Sequence, residues 1–150
     1  MNIKYLHTMI RVKNLEVSKN FYCNILGLKE VKRVENEKGK FTLLFLGTED
    51  FSEENKNLKE HPLLELTYNW DSDESYSSGR NFGHLCYEVE NIYNFCNELI
   101  KKGIVINRPP RDGYMAFIKS PDGISIELLQ KGKKLEISEP WESMKNIGTW

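Results

Sequence analysis

Residues 5–12 and 83–89 alternate apolar and polar side chains, the period of a half-buried β-strand. Each segment predicts a strand that leads into a helix. Asn14 precedes LEVSKNFYCNIL and Asn91 precedes IYNFCNELIKK, where a side-chain oxygen can accept from the free N–H groups of a first helical turn. Gly27 and Gly103 follow the two helical stretches, at the position where a left-handed C-cap is expected. Further apolar-rich runs predict strands over 29–35, 40–47 and 63–69 in the first half. In the second half they fall over 104–107, 114–119 and 124–130, with Pro121-Asp122-Gly123 as the turn between the last two.

The two halves repeat one another. HTMIRVKNLEVSKNFYCNILGL begins at His7 and HLCYEVENIYNFCNELIKKGI at His84, 77 positions later, so that Val12 falls on Val89, Asn14 on Asn91 and Leu15 on Ile92. The pattern predicts βαβββ twice, an α+β fold in which two modules form a half-closed trough of mixed β-sheet. One domain is expected over 1–131, with repeat one at about 4–70 and repeat two at about 82–131. The polar segments 49–62 and 71–81 read as surface loops. Residues 132–150 form a C-terminal tail whose Trp141 and Trp150 suggest docking on the body or on a second subunit.

A chain of 150 residues is long enough to bury one core without a metal or disulfide. Its 21 basic and 22 acidic residues leave a net charge of -1, without the basic excess of a nucleic-acid binder. Cys23, Cys86 and Cys96 are an odd set with no Cys-x-x-Cys pair, which fits free thiols in a reducing compartment. No apolar run has the length of a membrane span or a signal peptide, and a cytoplasmic location is expected.

Composition leaves the chemistry to four residues. His7 and His84 open the first strand of each repeat, while Glu65 (LLELTY) and Glu127 (SIELLQ) lie in the last strand of each. Both glutamates interrupt otherwise apolar strands, and a buried carboxylate is costly without a cation or donor. A single polar residue in a strand is ordinary. Four in matched repeat positions point instead to a pseudo-two-fold metal site. Two imidazoles and two carboxylates suit zinc, nickel, cobalt, manganese or iron better than calcium. If the geometry is octahedral, two positions stay open for water or substrate. His61 lies before Pro62 in a polar loop, has no counterpart in the other repeat, and is assigned no role.

LHTMIRV, FYCNILGL, ELTYNW, GRNFGH and AFIKSPDGISIEL together resemble the glyoxalase I (lactoylglutathione lyase) family of the vicinal oxygen chelate superfamily, from about residue 4 to 130. The resemblance implies a divalent metal held by His7, Glu65, His84 and Glu127, nickel or cobalt before zinc, and a homodimer. It implies isomerisation of the hemithioacetal of methylglyoxal and glutathione to S-lactoylglutathione, with Glu127 as the base that moves the proton and Glu65 assisting. Arg11 and Asn69 lie four residues after His7 and Glu65, each on the same strand face as its ligand. With Arg80 and Arg108 they correspond to contacts to the thiol carrier. Two features depart from the family pattern. RPPRDGYM is shorter than the family's glycine-rich loop, and Ser125 stands where some members carry an aromatic.

Extradiol dioxygenases and fosfomycin-type thiol transferases of the same superfamily use three protein ligands, whereas Glu65 here supplies a fourth. A methylmalonyl-CoA epimerase would share the proton-transfer logic, but ELTYNW and Arg80 resemble the glyoxalase pattern. A metal-free drug-binding protein of this fold would have no reason to keep all four ligands.

Overall fold

The computed structural model describes residues 1–48, 61–77 and 79–150. It divides into two compact units, Met1–Tyr76 and Ser77–Trp150. Most of the predicted loop 49–62 lies outside the described residues, as does Ser78 within 71–81; the rest of 71–81 forms turns and irregular backbone. No helix among the described residues is long and apolar enough to cross a membrane.

In the first unit, β1 (His7–Arg11) leads to α1 (Leu15–Lys19), then to β2 (Lys29–Asn36), β3 (Phe41–Gly47) and β4 (Leu63–Asn69). The sheet order is β1-β4-β3-β2. β1 pairs in parallel with β4, and the other pairings are antiparallel. Asn14 caps α1 as expected, its Oδ1 accepting from the Val17 N–H at 3.0 Å.

Beyond Lys19 the helix departs from the expected single α-helix and continues as a π-helical turn over Asn20–Ile25. Phe21 and Tyr22 are consecutive, both buried, and their rings meet edge to face at 5.1 Å. An α-helix separates successive side chains by about 100°, and the wider π turn brings such neighbours toward one face. Gly27 then takes φ +91 and ends the helix, its N–H donating to the Cys23 carbonyl at 3.1 Å.

The second unit repeats the plan with β5 (Leu85–Val89), α2 (Ile92–Lys101), β6 (Met115–Lys119) and β7 (Ser125–Gln130), in the sheet order β5-β7-β6. Asn91 caps α2 through Asn94 N–H at 2.9 Å. At its other end Ile104 N–H donates to Leu99 and Gly103 N–H to Ile100, the paired bonds of a glycine C-cap.

The strand expected over 104–107 does not form. In its place is one bridge, Arg108 to Phe117. Pro109 and Pro110 follow immediately and have no N–H to donate to a ladder. The backbone instead turns, with Arg111 N–H donating to Pro109 and Gly113 N–H to Pro110.

Alternation along each last strand sorts core from site. Leu64 and Leu66 of β4, with Leu44 and Leu46 of β3, belong to the first unit's core, whereas Glu65 and its register partner Phe45 take the opposite face. In the second unit Ile126 and Leu128 join Ala116 and Ile118 in the core. There Glu127 and its partner Phe117 take the opposite face.

The tail docks on the second unit. Trp141 is buried and stacks on Tyr93 at 5.8 Å, nearly parallel, and the Tyr93 hydroxyl donates to the Glu136 carbonyl at 3.0 Å. Arg111 donates to the Met144 carbonyl at 2.8 Å.

Candidate metal centre

Each unit holds one of the expected His–Glu pairs, made by neighbouring strands. His7 Nε2 lies 3.0 Å from Glu65 Oε2, and His84 Nε2 lies 3.1 Å from Glu127 Oε2. Parallel pairing is the cause. It sets β1 beside β4 and β5 beside β7, so a histidine that opens or directly precedes one strand reaches the glutamate at the third position of its neighbour. The carboxylates are largely covered, at 11% and 16% side-chain exposure, while the imidazoles are open at 41% and 42%.

The surroundings also repeat. The His7 ring meets Phe45 edge to face at 5.7 Å, and His84 meets Phe117 in the same way at 5.4 Å. Each phenylalanine is the register partner of its unit's glutamate, so an aromatic wall bounds the imidazole on one side while its Nε2 faces the carboxylate.

The nitrogen–oxygen pair in each unit is spaced as two ligands of one divalent ion would be. Nitrogen and oxygen ligands at about 2.1 Å from one ion, at right angles, stand roughly 3 Å apart, which is the separation seen in both pairs. Among the described residues no group of three or more His, Cys, Asp or Glu side chains is gathered at one point. Each unit thus presents a two-donor half-site.

The half-sites differ in what steadies the carboxylate. The Thr67 hydroxyl donates to Glu65 Oε1 at 3.1 Å, within the buried face of β4. The position two residues beyond Glu127 is Leu129, which has no such donor. Glu127 instead has Cys86 as its register partner, an exposed residue whose thiol is raised to about 11 by partial desolvation and by the neighbouring Glu127 carboxylate. Cys86 and Thr67 were not singled out by the sequence. The available signal was their spacing of two from a ligand, which puts them on the ligand's face of the strand.

The four expected thiol-carrier contacts are distributed unevenly. Arg11 is exposed, shares a face with His7, and is in register with Thr67. Asn69 shares the face of Glu65, its Nδ2 standing 3.5 Å from the Tyr76 hydroxyl. Arg80 is exposed in the turn before His84. Arg108 is spent partly inside its own loop, donating to the Met115 carbonyl and pairing with Asp112 at 3.2 Å. A guanidinium has five N–H donors, so others remain for an anion.

A mixed sheet bearing a His–Glu pair on the face away from its core, built twice in one chain, defines a domain of the vicinal oxygen chelate class. Residues 4–128 match the Glyoxalase/Bleomycin resistance protein/Dioxygenase superfamily, and the chain belongs to it. It is 40% identical to lactoylglutathione lyase of Neisseria meningitidis over 134 residues, covering 86% of this chain and 91% of that one. The corresponding enzyme of Salmonella typhimurium is 37% identical over 133 residues, with coverage of 85% and 93%. Among solved structures, the trypanothione-dependent glyoxalase I of Leishmania major superposes with a TM-score of 0.77 at 35% identity, covering 87% of this chain and 88% of that one.

Proposed function

We propose that the chain is a lactoylglutathione lyase, converting the hemithioacetal of methylglyoxal and glutathione to S-lactoylglutathione with one divalent ion held by His7, Glu65, His84 and Glu127. The observation that carries this reading is the duplicated His–Glu pair, with its nitrogen and oxygen 3.0 and 3.1 Å apart. Nickel or cobalt is favoured over zinc, all three being compatible with two imidazoles and two carboxylates. The reading includes a homodimer and a cytoplasmic location; within the described chain Cys23, Cys86 and Cys96 are all free thiols.

The bound metal would supply positive charge to the two neighbouring oxygens of the adduct, where negative charge develops as the C–H bond breaks. Glu127 takes the proton from the carbon bearing sulfur and hydroxyl and returns it to the adjacent carbonyl carbon. The hydroxyl proton passes between the two oxygens, so the product is an isomer and nothing else is consumed. Glu65, anchored by Thr67, serves chiefly as a fixed ligand. Arg11, Asn69, Arg80 and Arg108 are the candidate partners of the thiol carrier's carboxylates and amides.

The test is turnover of methylglyoxal with a panel of thiols and divalent metals. Chelation is expected to abolish activity, and one added equivalent of metal per site to restore it. A fully active metal-free protein would end the metalloenzyme reading.

Thr67→Val keeps the shape but removes the hydroxyl. It is expected to weaken divalent-metal affinity about 10–100-fold, with Thr67→Ser restoring most of it, both measured by calorimetric titration. Equal affinity in Thr67→Val and the unaltered protein would remove Thr67 from the site.

A further inference from the structure

The tail passes beside the candidate half-site of its own unit. Asn107 holds it by two bonds, Ile147 N–H donating to the Asn107 carbonyl at 2.9 Å and Asn107 Nδ2 donating to the Ile147 carbonyl at 2.9 Å. Lys119 Nζ reaches the Thr149 hydroxyl at 3.4 Å. These contacts bring Trp150 over Phe117, with ring centroids 6.1 Å apart and planes tilted by 32°. Phe117 in turn meets His84 edge to face at 5.4 Å. Three rings therefore run in series from the tail to a candidate ligand.

Trp150 as a residue remains 41% exposed, so packing on Phe117 leaves it accessible to a ligand. The matching phenylalanine of the first unit is covered differently. Over Phe45 lies the Lys32 ammonium, 5.7 Å from the ring centroid, and Arg11 shares the face of His7. One half-site thus has a cation over its aromatic wall. The other has an indole.

We propose that Trp150 is a specificity-determining wall of the substrate site, held by the tail so that the apolar substituent of the 2-oxoaldehyde lies against it, on the His84–Glu127 side. The inference rests on the proposed lyase reading. An indole face offers an aryl group far more contact than it offers a methyl group, so Trp150 favours bulky and aromatic 2-oxoaldehydes over methylglyoxal.

The test compares the metal-loaded enzyme with Trp150→Ala and Trp150→Phe, using hemithioacetals of phenylglyoxal and of methylglyoxal. Trp150→Ala is expected to lower the phenylglyoxal-to-methylglyoxal ratio of kcat/KM about tenfold, with Trp150→Phe retaining most of it. In a second measurement, Ni2+ or Co2+ added to the metal-free protein should quench tryptophan emission. Trp150→Phe should lose a large part of that quenching, while Trp70 and Trp141 still report folding. An unchanged ratio, or equal losses for both adducts, overturns the inference while leaving the lyase reading in place. Failure of the unaltered protein to bind a divalent ion or turn over either adduct defeats the lyase reading itself.

Discussion

Glu127→Gln is expected to reduce turnover of the methylglyoxal adduct by on the order of 10²–10⁴-fold, the usual contribution of a positioned base, without unfolding the chain. The amide has nearly the volume of the carboxylate, and Ile126 and Leu128 on either side remain in the core. What disappears is the group that accepts a proton. An amide oxygen is also a weaker metal ligand, so the comparison belongs at saturating metal. A direct readout is exchange of the adduct's reacting C–H with deuterated solvent, which Glu127→Gln should suppress. Normal turnover in this variant sinks the proposed base.

The same logic separates the two glutamates. Glu65 has its Oε1 fixed by Thr67 and its Oε2 facing His7, whereas Glu127 faces His84 and the weak S–H donor of Cys86. A carboxylate with one oxygen tied by a hydroxyl is suited to stay in place. One without that tie is better suited to move between metal and carbon, and Glu127 is the one with the slacker hold.

Much of this was legible because each signal was local and repeated. Asn14 and Asn91 cap their helices in the structure because each has a short side-chain oxygen next to a helical run. Glu65 and Glu127 stood out because an ionisable group in an apolar strand requires a partner. Strand pairing supplied what the sequence could not, the histidine 3.0 or 3.1 Å from each. The misses have physical causes. The π turn depends on two consecutive aromatics finding room in the core, which a helical period does not encode. The absent strand at 104–107 followed from Pro109-Pro110, whose effect on a ladder was outweighed in the sequence by the preceding apolar run. For Arg108, a candidate contact to the thiol carrier, the sequence did not show that Asp112 engages it. That pairing depends on a turn closed by the Asp112 carboxylate, which accepts from the Tyr114 and Met115 N–H groups at 3.1 and 3.0 Å.

Gly113→Ala is expected to destabilise the protein by about 3 kcal/mol, beyond the ordinary effect of a surface substitution. Two costs coincide at this residue. Its φ of +66 is the left-handed region that an alanine enters with difficulty, and an added Cβ would stand 2.3 Å from the Leu135 carbonyl oxygen. The obstructing atom belongs to the backbone, so no side-chain rotation relieves the contact. Nor can the segments part freely, because Leu135 N–H donates to the Gly113 carbonyl at 3.0 Å. At the conversion of 2–4 °C per kcal/mol for a chain of this size, the midpoint of thermal unfolding should fall by roughly 6–12 °C. The tail should loosen first, since Leu135 lies between the strand end at Gln130 and the Trp141 anchor, and Trp141 emission should shift to the red before the far-ultraviolet circular dichroism changes. Gly113→Ala should then also diminish the phenylglyoxal preference ascribed to Trp150. An unchanged midpoint would mean that the tail does not pack against this turn, and the strap that carries Trp150 would lose its first point of attachment.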